Sequence, residues 1–355
     1  MKASIQIRAE DTAEEDNSAL ALGRREHLLV ALFLLCAMLL LTHFVHQAWD
    51  FALGVALSQR ASDSKRYAPD VYRVLIPTLV RWLTQSLPGH HPATAYSLLD
   101  FCFGYATVFC GYLLTVSGLN FNPALRAERA TRVAFYLASV QFPLAWVVPY
   151  QRPETLPSAL YLVLATLLLK AVGTNRAWAM VLLALTLFQA LVRSDVACIF
   201  GVAVFLLSLA GTSMRSIAPR AVTAALGLGI ACIALGVQAY LQLVRFPHMT
   251  YPPGTVTVMA GINLRPHFFT VLCLVMLPLL CMVMAAFALK VRLAPLQILP
   301  IVAAALYLPL WFTVGSVTEV RIFVPFLLLL CPTAATVLAA ALLPNGTAAT
   351  PRRAS

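Results

Sequence analysis

Residues 177–211, AWAMVLLALTLFQALVRSDVACIFGVAVFLLSLAG, hold two apolar runs separated only by Arg193-Ser194-Asp195. Each run is almost continuously apolar, and a membrane-spanning helix needs roughly 20 such residues. Charged side chains between two such runs belong at a membrane surface rather than in the hydrocarbon. The stretch therefore reads as two crossings joined by a tight charged turn, and the same reading extends outward along the chain.

Composition agrees. With 61% hydrophobic and 11% charged residues and a mean hydropathy of +0.83, a soluble domain is excluded. The formal net charge of +11 would point to nucleic acid in a soluble protein. Here the basic residues punctuate apolar runs, so no nucleic-acid partner is expected and membrane lipids are. The eight cysteines all sit inside apolar runs without metal or disulfide spacing and read as small buried hydrophobes.

The expected fold is all-α: a polytopic transmembrane helix bundle of about ten spans, with an amphipathic outer-surface helix after the first. The spans fall near 28–48, 94–116, 132–150, 157–172, 177–193, 195–211, 220–243, 267–289, 294–315 and 322–343. Residues 1–27 read as a disordered cytoplasmic tail of mixed charge, 28–343 as the multi-span domain with outer loops 49–93 and 244–266, and 344–355 as a second cytoplasmic tail. One set of connections carries arginine and lysine with almost no acid, including Arg126, Arg129, Lys170, Arg176, Arg215, Arg220 and Lys290. By the positive-inside rule both termini are cytoplasmic, in a cell inner (plasma) membrane.

The other set of connections gathers the acids. Beyond the N-terminal tail, every carboxylate except Glu128 falls at the outer end: Asp50, Asp63, Asp70, Asp100, Glu154, Asp195 and Glu319. Four have an arginine two or three positions away: Asp70 with Arg73, Glu154 with Arg152, Asp195 with Arg193, and Glu319 with Arg321. Carboxylates and arginines gathered at one end of an apolar bundle suit an anionic or polyhydroxy substrate. The alternative is that Arg152–Glu154, Arg193–Asp195 and Glu319–Arg321 are ion pairs locking tight turns.

In loop 49–93, Tyr72, Leu75, Ile76, Leu79, Val80 and Leu83 recur at helical spacing, with Arg73, Thr78 and Arg81 off that face. This predicts an amphipathic helix on the outer surface, beginning at Pro69-Asp70, where the carboxylate would cap it, and ending at Pro88-Gly89. Arg245 and Arg265 approach the same end from loop 244–266. In that loop His248 and nearby His267 are candidate phosphate donors, and Tyr251 and Asn263 candidate sugar contacts; a mobile polar loop explains all four as well. His43 and His46 lie about one helical turn apart without an evident third metal ligand.

A first span leading to a long acidic outer loop with a surface helix, then many spans, resembles the GT-C glycosyltransferases, which move sugars from polyprenyl-phosphate carriers at the outer membrane face. Tyr72-Arg73-Val74-Leu75-Ile76-Pro77, Arg152-Pro153-Glu154, and Glu319-Val320-Arg321 before Pro325 carry the local likeness. The resemblance implies a polyprenyl-phosphate-linked sugar as donor and an envelope glycan, lipid or protein as acceptor. Asp70 would be the catalytic base, Arg152, Arg193 and Arg321 would contact phosphate, and Arg73, Arg245 and Arg265 would join the substrate-binding set. Glu154, Asp195 and Glu319 would position sugar hydroxyls or orient the arginines. The family typically carries adjacent or once-spaced acids in the first outer loop, whereas Asp50, Asp63 and Asp70 stand apart. No cofactor is therefore assigned, and a divalent metal stays open. Two rivals remain: a carrier or flippase for a lipid-linked or anionic solute, and a non-catalytic envelope-assembly protein.

Overall fold

The computed structural model describes residues 2–48, 52, 72–117, 126–147, 152–210, 217–248, 255–291, 293–317 and 319–342. Among them the helices are α1 (Lys2–Gln47), α2 (Leu75–Ser86), α3 (Pro92–Val116), α4 (Arg126–Ala145), α5 (Thr155–Val172) and α6 (Ala177–Leu209). Then follow α7 (Arg220–Tyr240, continued by a wide turn Leu241–Arg245), α8 (Thr255–Asn263), α9 (Pro266–Ala288), α10 (Pro295–Val314) and α11 (Val324–Leu342).

Among the described residues, eight helices are long and apolar enough to cross a membrane: the Arg24–Gln47 part of α1, then α3, α5, α6, α7 through Arg245, α9, α10 and α11. The chain is a polytopic helical membrane protein. The two expected spans 177–193 and 195–211 are the two arms of α6, which breaks at Arg193. The expected span 132–150 corresponds to α4, whose first turns carry Arg126, Glu128, Arg129 and Arg132.

α6 is not straight. Arg193 leaves helical geometry (φ −156°, ψ 96°), and the chain doubles back there. The Tyr161 hydroxyl on α5 lies 3.1 Å from Thr186 Oγ1, while the Tyr161 ring packs 5.9 Å from Phe200. In an unbroken helix residues 186 and 200 would be separated by about 21 Å. Instead the first arm runs antiparallel to α5, with Gln189 opposite Ser158, and the second returns alongside it. Gln189 Nε2 also donates to the Arg193 carbonyl at 3.2 Å, satisfying an acceptor that the break removes from the helical ladder. The second arm meets α7 backbone to backbone: a Cβ on Gly201 would come within 2.7 Å of Gly227 O. Small residues let membrane helices approach this closely.

α11 forms the centre. Its apolar window is 78% buried, against 11% for α9, whose Leu274, Leu280 and Phe287 stand exposed. Such a surface suits lipid rather than water.

The bundle ends are uneven. Thr107 on α3 donates to the Leu156 carbonyl at 3.4 Å, so α5 starts about 22 Å along α3 from Pro92. The turn before α5 is thus sunk below the rim formed by α3. α2 packs Ile76, Pro77 and Val80 inward and leaves Arg81 and Trp82 exposed. It begins at Leu75, not at residue 70. Its N-cap is Val74, four residues after the expected cap Asp70, which lies outside the described residues.

Candidate functional site

Three turns meet in this recess. The first is Arg152-Pro153-Glu154, leading into α5. The second is the Arg193-Ser194-Asp195 bend of α6. The third is the short 3-10 turn Val320–Ile322, preceded by Glu319.

Glu154 is the buried centre, 5% exposed. Its Oε1 receives Arg73 Nη1, from the residue two before α2, and lies 3.8 Å from Arg321 Nη1. An unpaired buried carboxylate is costly, and these partners offset that cost. Burial alone would raise the Glu154 pKa; Arg73, Arg321 and Arg193 outweigh it and hold the group below the ordinary carboxylate value. Glu154 is therefore an anion at neutral pH. Arg321 in turn binds Glu319 Oε2 at 2.8 Å, with the Glu319 side chain 42% exposed. Burial lowers the Arg321 pKa, while Glu319 and Glu154 act to raise it.

Arg193 is fully engaged. Its Nη2 and Nε reach Asp195 at 2.6 and 3.3 Å, its Nη1 donates to Ile322 O at 3.2 Å, and Nη2 also meets the Tyr307 hydroxyl. That hydroxyl donates to Asp195 Oδ2 at 2.8 Å. Tyr307 stacks on Phe326 with ring centroids 4.4 Å apart, and Trp311 stacks on Phe323 at 5.1 Å, so an apolar aromatic floor fixes the polar groups above it. Ser194 Oγ donates to Gln238 Oε1 at 2.6 Å, tying the bend to α7. On the α3 side, Tyr96 is buried within electrostatic range of both Glu154 and the buried Asp100.

The structure brings together Arg73, Arg152, Glu154, Arg193, Asp195, Glu319 and Arg321. The pairing differs from the neighbour rule at one turn. Arg193–Asp195 and Glu319–Arg321 pair within their turns, but Glu154 pairs with Arg73 and Arg321, not with Arg152. Arg152 is half-buried, acts electrostatically on Arg321, and has no ion pair among the described residues. Arg245 and Arg265 do not join. Arg245 is exposed over the Phe246 ring at 5.2 Å, and Arg265 is exposed at the N-cap of α9.

Asp50, Asp63, Asp70 and Tyr251 lie outside the described residues. His248 and His267 are exposed. Asn263 is not a free sugar contact: it is buried, donates to Phe312 O at 2.7 Å and Gly315 O at 2.8 Å, and accepts from Val317 N at 3.0 Å. It closes the C-terminal end of α10. His46 bonds Ser97 at 2.8 Å, and among the described residues no group of three or more His, Cys, Asp or Glu could hold a metal ion.

Sequence reasoning missed Tyr307 and Gln189. The available signal was a polar atom inside an otherwise apolar run, which demands a partner when buried. No family model, curated protein or solved structure matches the chain.

Proposed function

We propose that the recess is the site of a GT-C-like membrane glycosyltransferase. It would move a sugar from a polyprenyl-phosphate donor to an envelope glycan, lipid or protein at the outer face of the inner membrane. The observation that carries this reading is a sunken ionic cluster with its interior charges already paired, Arg152 without an ion pair among the described residues, and Asp195 and Glu319 turned partly to water at 36% and 42% side-chain exposure.

The division of labour follows. Glycosyl transfer needs a carboxylate to take the proton of the acceptor hydroxyl and cationic groups to stabilise the departing phosphate. Arg152 is the phosphate contact, since a guanidinium suits bidentate phosphate recognition. Asp195 and Glu319 face the sugar hydroxyls while holding Arg193 and Arg321 in position. Asp70 is the base in this reading. It lies three positions before Arg73, a reach of at most about 11 Å, and Arg73 is tied to Glu154.

The test is binding of polyprenyl phosphate to the purified protein, measured by native mass spectrometry. Wild type should bind it in preference to bulk phospholipid, and Arg152→Ala should weaken binding about tenfold or more, the worth of one charged hydrogen bond. Asp70→Asn should bind normally and lose transfer. Binding no stronger than bulk lipid defeats the proposal, and unchanged transfer in Asp70→Asn defeats the assignment of the base.

A further inference from the structure

The opposite end of the bundle holds a second concentration of positive charge with a different character. A cavity of about 600 Å³ opens there, lined by Val172, Gly173, Arg176, Ile217, Pro219 and Arg220 among others. It lies where α5 ends, α6 begins and α7 begins. Its floor is tight: a Cβ on Gly173 would come within 2.2 Å of Ile217 O, so the α5–α6 turn and the lead into α7 are in backbone contact.

The segments that line this cavity carry positive charge and no acid. No Asp or Glu occurs between Glu154 and Asp195 or between Asp195 and Glu319, so neither strand of chain lining the cavity supplies a carboxylate. Of the described acidic side chains near this end, Glu26 pairs with Arg129 at 3.1 Å and Glu128 with Arg132. Arg176 is exposed and has no ion pair among the described residues. Arg220 is exposed as well; its Nη2 donates to Leu209 O at 2.7 Å, which anchors the guanidinium, and it has no ion pair among the described residues. Lys170, in the last turn of α5, adds a third exposed cation. Membrane topology alone would ask for cations at this end but not for two arginines flanking one cavity.

We infer that this cavity holds the phosphate group of an anionic phospholipid, gripped between Arg176 and Arg220. Its volume lies in the range of small-ligand sites, and basic pockets between membrane helices at the surface suit lipid head groups. The surroundings favour a lipid over free phosphate. Trp178, 42% exposed, stands at the level where indoles mark the membrane interface. Met180 and Val181, 70% and 45% exposed, continue along α6 as an apolar track for an acyl chain.

The site is independent of the ionic recess and is tested separately. Delipidated protein is titrated with phosphatidylglycerol or phosphatidylcholine and the bound lipid is counted by native mass spectrometry, with millimolar inorganic phosphate as competitor. Wild type should prefer phosphatidylglycerol. Arg176→Gln with Arg220→Gln should weaken that binding about thirtyfold, at about fivefold for each cation near a phosphate. Arg176→Lys with Arg220→Lys should keep most of it, which separates loss of charge from loss of fold. Equal binding of the two lipids overturns the inference. So does unchanged phosphatidylglycerol binding in the glutamine pair, or loss of binding in the lysine pair. Displacement of the lipid by inorganic phosphate would mean that a soluble anion is the ligand, and overturns it too.

Discussion

Glu154→Gln is the most informative single change, because it keeps the shape of the buried side chain and removes only its charge. Wild-type Glu154 is 5% exposed, receives Arg73 Nη1, and has Arg321 at 3.8 Å. Removing one partner of a buried ion pair costs about 3–5 kcal/mol. The Arg73 side chain is 24% exposed and Arg321 keeps Glu319 at 2.8 Å, so water and Glu319 absorb part of the loss. The lower end, about 3 kcal/mol, is expected, a fall in Tm of about 6 °C for a chain of this size. The assay is thermal unfolding in detergent, followed by intrinsic fluorescence, on a double-mutant cycle of Glu154→Gln and Arg73→Met. The two losses should be far from additive, with a coupling of about 2 kcal/mol. The pH dependence gives a second reading. The folded-state pKa of Glu154 is lowered below the ordinary 4.5, so its stabilising contribution is complete above that value and is lost as pH falls below it. Wild type should lose Tm on acidification below about 4.5, and the contrast with Glu154→Gln should shrink over the same interval. Additive single effects, or a contrast that stays constant on acidification, would refute the ion-pair account of the recess.

Tyr307→Phe removes the hydroxyl that donates to Asp195 Oδ2 and should cost about 1 kcal/mol in thermal unfolding, since a half-exposed carboxylate loses one of several partners; no change would mean that Arg193 alone holds Asp195. Asn263→Leu deletes three hydrogen bonds at the end of α10 and should cost about 3 kcal/mol or more, read as a lowered Tm with phosphate-lipid binding at the far cavity unchanged. Gly227→Leu places a Cβ 2.6 Å from Phe205 N and should abolish the well-folded detergent-soluble peak in size-exclusion chromatography, whereas Gly236→Leu, with nothing within 4 Å, should leave it intact. In a cysteine-free background, Arg152→Cys should react with an impermeant maleimide in intact cells and Arg176→Cys only after permeabilisation; labelling of both from one side would refute the opposed-ends topology.

The membrane class and the general order of helices were legible because apolar run length and charge punctuation are one-dimensional signals. The α6 bend is the clearest case: Arg193-Ser194-Asp195 interrupts an apolar run, and the chain turns there. The convergence of charges at one end was also legible, since alternating crossings assign every second connection to the same side. Partner choice was not. Arg152 and Glu154 are neighbours in sequence, yet the carboxylate is taken by Arg73, 81 positions away, because pairing is decided by which guanidinium shares the buried volume. Arg245 and Arg265 show the same limit from the other side: an end of the bundle is a plane, and lying in that plane does not place a side chain in the recess.

The start of α2 was misread even though the sequence contained the correction. Helical spacing from Tyr72 onward put the N-terminus at Asp70, and the apolar face alone fits that choice. Pro77 does not. In a helix begun at residue 70 it would sit in the interior, where its missing N–H and its ring break the hydrogen bond to the carbonyl four residues back. In a helix begun at Leu75 it falls in the first turn, where no such bond is made. The proline therefore sets the boundary, and that boundary has a consequence for the site. Arg73 lies outside the helix, and its side chain turns to Glu154. Had α2 begun at residue 70, Arg73 would be fixed on the polar face beside Arg81, and the buried carboxylate at the centre of the recess would lack its nearest cation.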